Sequence, residues 1–548
     1  MLRQLKAAGE TLRTSIEAYV AISSAVQNDI IKGNILSGLL PELSSCLESE
    51  FGFITSLEQK LRQARASIGQ VHNYCNRVSP INRLPSEILT RIFHLVSADP
   101  CHLCPQDLPA DFSRYLNSNS YPDQLAHVCS RWRKVAISSP FLWTHIDLTP
   151  HATAGRRLFG RQVAYESRSN HIALDIHLDD RGCTSSASYD VKMILSHLAS
   201  RAKSLEFIII SDKIQSFHSS ALKSIISKCS PQNFKKLCVH SDVFFPNPFV
   251  SDSNLEIPLD ADRPPKILRW TERQMDAKLL GITTLHLQGV FFYWSSMLYH
   301  GLVDLRLSSP PKTNPYHISS SSLVMILSAS PELKILHFSL ELLANEAPGD
   351  EPNSSAINPV PLQNLEVLHV STIRARDSRR SAFPIGSFFE LLAPGSKPLR
   401  LTIHTPGKPS DTVFGNATRA FFARSNVERL SIRTSALLVT KPFWLCDMPD
   451  LKVLVLDSSF PLFKLEESSH PIPALISLTV YLCVLTLPQL RSLLRLCPSR
   501  IILYHAVVLD DAESGLLPDA EVRAAFPMVE FVTEDSAHHP TADWDIVD

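Results

Sequence analysis

A rhythm of apolar side chains, Leu-x-x-Leu-x-Leu, recurs beyond Pro150 of this 548-residue chain and constrains its fold more than any other feature. Each copy commonly follows a short helical stretch that stops at Ser, Pro or Asn, so the repeating unit is a helix and then a strand. The clearest copies are Leu302-Leu305-Leu307, Leu333-Leu336-Phe338, Leu365-Leu368-Val370, Val427-Leu430-Ile432, Leu451-Leu454-Leu456 and Leu475-Leu478-Val480. Weaker copies are Leu205-Ile208-Ile210 and the stretches around Leu285-Leu287 and Leu401-Ile403.

Stacking of these units is what the repeat requires. One helix and one strand cannot bury their own apolar face, so adjacent units would share a continuous core and leave a strand face for a partner. The copies start about 24 to 34 residues apart, at and beyond the upper end for leucine-rich repeats. The pattern predicts an irregular leucine-rich-repeat-like α/β solenoid over residues 165–530, with a conventional parallel α/β domain as the alternative.

A heptad pattern occupies the N-terminal region. Its apolar residues recur at alternating steps of three and four, the period of a coiled-coil seam. The seam consists of Leu40, Leu43, Leu47, Ile54, Leu57, Leu61, Ala64, Ile68, Val71, Cys75 and Val78. It is broken at Glu50, and Gly52 and Gly69 weaken a helix. Residues 1–79 are therefore predicted to be helical, and the seam either forms a homodimer or packs on its own protein.

A small all-α unit is predicted over residues 80–148, with a loop insertion at residues 99–121 that is rich in Pro, Ser and Asn. Pro85 and Glu87 mark the start of one helix, and Pro122 and Asp123 repeat this signal for a second helix that ends at Ser138-Ser139-Pro140. Apolar stripes follow both helices: Ile88, Leu89, Ile92, Phe93 and Val96, then Leu125, Val128, Cys129, Trp132, Val135 and Ala136. The aromatic anchor Phe141-Leu142-Trp143 and a strand at His145–Leu148 follow.

Large apolar side chains are too numerous for a unit of this size. Ile92, Phe93, Trp132 and Trp143 cannot all be buried within so small a core. Large aromatic and aliphatic residues left outside a core mark a protein contact. The unit is therefore predicted to bind a partner, without the partner being identified.

Three ordered blocks in this unit resemble an F-box: Leu84-Pro85-x-Glu87-Ile88-Leu89-x-x-Ile92-Phe93, Val128-Cys129-x-x-Trp132-Arg133-x-Val135-Ala136 and Ser139-Pro140-x-Leu142-Trp143. With the preceding heptad helix, the chain is similar to F-box proteins common in mushroom-forming fungi. In that family the F-box binds a Skp-type adaptor, which binds the cullin of a ubiquitin ligase, while C-terminal repeats select the substrate.

The resemblance implies a non-catalytic substrate-recognition subunit of a Skp-cullin-F-box type ligase, with an unknown substrate protein. By matching position, it implies adaptor contact for Leu84, Pro85, Ile88, Leu89, Ile92, Phe93, Val128, Trp132, Leu142 and Trp143. The insertion at residues 99–121 is longer than the usual link between the first two F-box helices.

Composition excludes several other classes of protein. Lys plus Arg (53) nearly cancels Asp plus Glu (54), so the chain lacks the net positive charge that dominates nucleic-acid binding. No window approaches the roughly 18 apolar residues that span a bilayer, so no membrane association is expected. Eleven cysteines without regular spacing and the absence of a secretory signal favour a reducing compartment, the cytoplasm and/or the nucleus. The acidic stretch at residues 531–548 is predicted to be a flexible tail.

Catalytic and cofactor motifs give no positive signal. Cys101-His102-Leu103-Cys104 has half the spacing of a zinc site, but a second close pair is missing. The chain contains no phosphate-binding glycine loop, no His-Glu-x-x-His and no nucleophile elbow. We therefore expect no enzyme activity, cofactor or metal. Two alternatives stay open: a scaffold that binds the adaptor without joining a ligase, and an enzyme on the region beyond Pro150.

Overall fold

A computed structural model describes residues 2–32, 40–74, 80–97, 122–180, 185–211, 216–243, 249–250, 278–310, 316–343, 358–372, 385–405, 415–434, 448–457, 474–497, 499–510, 515–532 and 539–547. The chain separates into two compact units. The first comprises Met1–Ile92 and Leu125–Val135, and the second comprises Phe93–Gln124 and Ala136–Asp548. The predicted loop insertion and its two cysteines lie outside the described residues.

Two long helices dominate the first unit, α1 over Leu2–Ile31 and α2 over Leu40–Tyr74. α2 covers most of the stretch in which the heptad pattern predicts a helix. The Tyr19 hydroxyl of α1 donates a hydrogen bond to the carboxylate of Glu50 on α2, and the ring centroids of Tyr19 and Phe53 lie 6.4 Å apart. The break in the heptad seam at Glu50 is therefore a polar contact between the two helices.

Three short helices follow: α3 over Ser86–Val96, α4 over Pro122–Val128 and α5 over Ser130–Ile137. The predicted start of the first helix is confirmed, but the single second helix predicted from Pro122 is wrong, because the chain breaks at Cys129. The Trp132 amide donates to Cys129 Sγ at 3.4 Å, and Arg133 Nε donates to the Ala126 carbonyl at 2.9 Å. Side chains thus satisfy backbone groups at both facing helix ends, which stabilises the break.

The second unit is built on a large parallel sheet. Among the described residues, fourteen strands form this sheet, neighbouring strands are parallel, and their spatial order follows the chain order. These strands are β1 (His145–Leu148), β2 (Leu174–Asp179), β3 (Ala202–Ile209), β4 (Lys236–Ser241), β6 (Thr284–Gln288), β8 (Asp304–Ser308), β10 (Ile335–Ser339), β13 (Val367–Ser371), β15 (Leu399–Thr405), β16 (Val427–Thr434), β17 (Val453–Asp457), β18 (Ser477–Tyr481), β20 (Ile501–Tyr504) and β22 (Val529–Val532). The other strands form short parallel pairs: β5 (Phe249–Val250) with β7 (Phe291–Phe292), β9 (His317–Ser319) with β11 (Glu341–Leu343), β12 (Val360–Leu362) with β14 (Leu392–Pro394), and β19 (Val484–Thr486) with β21 (Val507–Leu509).

The sheet begins earlier than the sequence pattern suggests. β1 has the predicted bounds, and it pairs with β2 as the first strand of the sheet. The expected start of the repeat array at residue 165 lies inside the helix that connects these two strands. The last element predicted for the small helical unit is therefore also the first strand of the α/β region.

Helices lie in many, but not all, of the connections between consecutive strands of this sheet. In the described part of the second unit they are α6 (Ala152–Arg168), α7 (Ser185–Leu198), α8 (Ser216–Lys228), α9 (Ser320–Ser328), α10 (Ile385–Glu390), α11 (Asn416–Arg424), α12 (Leu487–Leu496) and α13 (Asp519–Ala525). Ser319 begins α9 by accepting the Ser322 amide at 3.1 Å, and Gln489 returns to the Thr486 amide at 2.8 Å to begin α12. None of the helices in the described ranges has the length and apolar character needed to cross a membrane.

The leucine rhythm forms the core on one side of the sheet. In β8, Leu305 and Leu307 are fully buried, and the register aligns Leu305 with the equivalent leucines of β6 and β10. The predicted copy Leu205-Ile208-Ile210 is wrong in register. β3 aligns Leu205 with Leu237 and Phe207 with Val239. Because strand side chains alternate, Leu205 and Phe207 lie on the core side and Ile208 on the opposite side.

Candidate functional site

α3 carries apolar residues on two faces. Leu89 and Phe93, four residues apart, are fully buried. Ile88 and Ile92, also four residues apart, lie on an adjacent stripe, where Ile88 is 49% exposed and Ile92 is half-buried. Residues at this spacing lie one above the other on a helix. α3 therefore supports the core with one stripe and presents a second apolar stripe at the surface.

The first unit adds apolar residues from α4 and α5. Val128 is 59% exposed and Trp132 is half-buried. The guanidinium of Arg131 donates a hydrogen bond to the carbonyl of Leu84, just before α3. This bond holds α5 at the N-terminal end of α3. Pro85 is exposed and Leu84 is half-buried at the same end.

Trp143 belongs to the core of the second unit. Its indole is fully buried and donates to the Ala136 carbonyl at 2.9 Å. The Tyr165 ring meets it edge-on at 5.0 Å, and the Arg168 guanidinium lies 4.4 Å above its ring. Leu142 beside it is also buried. The structure thus assigns four of the ten residues predicted to contact an adaptor to the core, where they offer no surface to a partner: Leu89, Phe93, Leu142 and Trp143.

Polar side chains cover the sheet side opposite the leucines. We call this surface from β8 to β18 the polar strand face; its residues include Arg306, His337, His369, Arg400, Thr402, His404, Arg429, Ser431, Arg433, Asp457 and Tyr481. The register places Arg306, His337 and His369 on neighbouring strands, and the two imidazoles stack at 5.1 Å. Burial, followed by the charges of His337 and His404, lowers the pKa of His369 to about 3. Basic side chains therefore cluster at the middle of this face.

The C-terminal segment, residues 539–547, lies on the polar strand face. Asp545 contacts Arg306 at 2.7 Å and His337 at 3.1 Å, so both of its carboxylate oxygens are bonded. Burial raises the pKa of Asp545, but His337 and Arg306 outweigh this and hold that pKa below its ordinary value. This stretch is part of the tail that we expected to be flexible. Its carboxylates instead contact Arg306 and Arg429, and Trp544 is 3% exposed.

A cavity of about 350 Å³ lies between the C-terminal segment and the polar strand face. Its strand side is lined by His337, His369, His404 and Asp457, among others, and Trp544 and Asp545 contribute to the opposite side. The sequence signal for this surface is the residue between the two leucines of the rhythm, which is Arg306 in β8 and a histidine in β6, β10 and β13. The sequence alone does not show that these histidines share one face, because each lies in a different repeat.

A second polar cluster joins β1 to β2. Ligand atoms of His145, Asp147 and His177 lie within 4.8 Å of one another. Asp147 Oδ1 is 3.0 Å from His145 Nε2 and 3.5 Å from His177 Nδ1. Burial raises the pKa of Asp147, but the charge and hydrogen bond of His145 and the contact with His177 hold it well below its ordinary value. The cluster is a bonded network between two strands, although its donor atoms are of the kind that also bind zinc.

Comparison with known families matches residues 81–149 to the F-box-like family. The match spans α3, α4, α5 and β1 and includes the surface stripe of Ile88 and Ile92 and the buried Trp143, which lies between α5 and β1. No curated protein matches the chain at a significant level. F-box proteins are typically non-enzymatic adaptors of ubiquitin ligases, and their F-box domains generally bind Skp-type adaptors. The chain is accordingly an F-box domain-containing protein.

Proposed function

We propose that this chain is the substrate-recognition subunit of a Skp-cullin-F-box type ubiquitin ligase. The F-box-like match at residues 81–149 is the observation that carries the proposal. In this function the protein performs no bond chemistry. It holds a target protein on one surface and the ligase on another, so its activity is binding.

The Skp-type adaptor would bind the apolar surface of the first unit. Of the ten residues implied by the F-box resemblance, six retain accessible surface: Leu84, Pro85, Ile88, Ile92, Val128 and Trp132. Apolar and aromatic side chains that remain outside a core are typical of the centre of a protein interface. Ile88 and Val128 are the most informative members, because their exposure allows substitution without a cavity in the core.

The target protein would bind the α/β region. Its strands follow one another in chain order with the leucines of the rhythm on the core side, and we interpret this arrangement as a leucine-rich-repeat-like solenoid. The residues between the leucines vary along the sheet on the opposite side, which is where specificity would lie. We place the protein in the cytoplasm and/or the nucleus, where such ligases act.

A second candidate is a dimeric scaffold that binds the adaptor without joining a ligase. The observation in its favour is the seam of α2, in which Leu47, Ile54, Leu61 and Ile68 recur every seven residues and are all exposed. A seam of this kind is buried when two copies form a coiled coil. Homodimerisation is also compatible with ligase function, so recruitment of a cullin distinguishes the two candidates.

Co-expression with a Skp-type adaptor tests the proposal. We expect the wild-type chain to copurify with the adaptor, and Ile88→Asp with Val128→Asp to abolish this, because charges would be desolvated in an apolar interface. Ile476→Asp is the matched control, since this exposed isoleucine lies outside the F-box. Circular dichroism confirms that each variant folds. Failure of the wild type to copurify, or retention by the double variant, would contradict the proposal.

A further inference from the structure

We infer that the polar strand face is a binding site for an acidic segment with a tryptophan between two aspartates, and that the C-terminal segment occupies this site as a built-in competitor. The inference rests on the proposed function of the sheet as the target-binding region. It goes further by naming the chemistry of the target and a means of regulating access to it.

Charge recognition is centred on Asp545. Its Oδ2 lies 2.7 Å from Arg306 Nη1, and its Oδ1 lies 3.1 Å from His337 Nε2. Arg306 is oriented by Asp304, which accepts from Nε at 3.0 Å and from Nη2 at 3.1 Å. A guanidinium fixed in this way is a prepared carboxylate receptor. The geometry therefore selects an acidic side chain at this position.

Two further arginines hold the backbone and the other carboxylate of the segment. Arg400 Nη1 donates to the carbonyl of Trp544 at 2.9 Å and also to the carbonyl of Ile546. Arg429 Nη1 lies 3.9 Å from Asp543 Oδ2. The two bonds from Arg400 to backbone carbonyls fix the position of a peptide whatever its side chains. They would serve another segment of the same conformation equally well.

Trp544 supplies the apolar part of the interaction. Only 3% of its surface is exposed, although the segment is nine residues from end to end and its neighbour Ile546 is 66% exposed. Trp544 lines the cavity together with Val367 and Thr402. Tryptophan is enriched among the residues that dominate binding energy at protein interfaces. A tryptophan buried against an otherwise polar surface is typical of the anchor residue of a bound peptide.

The other end of the segment is also held. His539 Nε2 lies 3.5 Å from Asp457 Oδ2, and its ring meets the Tyr481 ring at 4.7 Å. Amides of the segment close successive turns, from Ala542 to the carbonyl of His539 at 2.9 Å and from Trp544 to that of Thr541 at 3.0 Å. The segment thus reaches from β8 to β18 in a compact, defined conformation.

The contacts suit a segment that can be displaced. Asp543 and Asp545 keep 68% and 41% of their side-chain surface exposed, and ion pairs this accessible to water are weak. A tethered segment nevertheless competes at an effective concentration on the order of millimolar. A target must therefore exceed this competition, either through higher affinity or through further contacts along the sheet.

The test uses the full-length chain and a fluorescein-labelled synthetic peptide of residues 539–548, followed by fluorescence anisotropy. We expect Asp543→Asn with Asp545→Asn to bind the peptide at least about tenfold more tightly than the wild type, because its own segment no longer competes. Asp519→Asn with Glu521→Gln removes the same charge from exposed positions on α13 and is the matched control, expected to behave as wild type. We call Asp543→Asn with Asp545→Asn the aspartate release variant, because it is designed to release the C-terminal segment from the sheet. Trp544→Ala is a second release variant.

Two reciprocal changes confirm the site. Arg306→Ala with Arg400→Ala, added to the aspartate release variant, is expected to weaken peptide binding by at least about tenfold. A peptide with alanine in place of Trp544 is expected to bind the aspartate release variant at least about tenfold more weakly than the original peptide. The inference is overturned if neither release variant binds more tightly than wild type and control, or if the arginine substitutions leave binding unchanged. No Skp-type adaptor is present, so failure here leaves adaptor binding untouched, and failure of adaptor copurification leaves this result untouched.

Discussion

Arg306 and Asp545 lie 239 positions apart in the chain, yet a 2.7 Å ion pair joins them on the polar strand face. The pair links the last described residues of the protein to the middle of its sheet. It shows that this face of the sheet is not simply an open surface. The face expected to receive a target already contacts the C-terminal segment.

The contacts of the C-terminal segment predict that Trp544→Ala loosens this segment without destabilising the rest of the chain. We expect the amides of Ala542, Trp544 and Ile546, which close turns within the segment, to exchange hydrogen about tenfold faster or more, while the melting temperature changes little. Hydrogen exchange followed by mass spectrometry measures this. Ile546→Ala is the control, because this side chain is 66% exposed. Unchanged exchange in Trp544→Ala would show that the indole does not hold the segment.

The buried anchor predicts a large loss of stability for Trp143→Ala. The indole is fully buried, donates a hydrogen bond to the Ala136 carbonyl and contacts Tyr165 and Arg168. Truncation of such a side chain costs about 3–5 kcal/mol, whereas Phe141→Ala at an exposed position should stay within about 0.5 kcal/mol. Urea denaturation provides both free energies of unfolding. Equal effects of the two substitutions would contradict the assignment of Trp143 to the core.

The half-buried His369 predicts that acid destabilises the second unit. The pKa of His369 lies at about 3 in the folded chain, below the ordinary value of about 6.5, so the unfolded chain binds a proton that the folded chain does not between these values. The contribution of His369 to the stability of the folded chain is therefore fully present above pH 6.5 and is lost as the pH decreases towards 3. We expect His369→Gln to lose less of its melting temperature between pH 7 and pH 4.5 than the wild type. Exposed His171→Gln is the control, and a loss equal to the wild type in His369→Gln would contradict this origin.

The α2 seam predicts a homodimer. Ile54→Lys with Leu61→Lys should convert it to a monomer, because the like charges would face each other across the seam. Gln59→Lys with Gln63→Lys adds the same charge at exposed positions off the seam and should preserve the dimer. Light scattering coupled to size-exclusion chromatography gives the mass. A monomeric wild type would show that the exposed seam does not pair two copies.

Local patterns with a strict period were predictable from the sequence. The leucine rhythm identified the core side of most strands, and the bounds of β1 were predicted without error. The predicted register of β3 is wrong, because Leu205-Ile208-Ile210 has the correct spacing but begins three residues late, and only the pairing with β4 reveals this. The break at Cys129 failed because the apolar stripe continues through it, while the side-chain bonds that stabilise the break involve specific partners.

Relations between distant residues could not be predicted. The F-box resemblance identified the residues of the unit but not which of them are core, since Ile88 and Leu89 are adjacent and equally apolar while only Leu89 is buried. The acidic composition of residues 539–547 favoured a flexible tail. Composition cannot show that Arg306, Arg400 and Arg429 contact this segment in the folded chain. Charge complementarity across the sheet exists only after folding.

Assembly of the purified chain with a Skp-type adaptor and a cullin tests the central claim most directly. Light scattering after size-exclusion chromatography reports whether one complex contains all three components. We expect the wild type to form this complex and Ile88→Asp with Val128→Asp to leave adaptor and cullin without the chain. Adaptor binding without the cullin would support the scaffold instead, and absence of adaptor binding by the wild type would contradict the account.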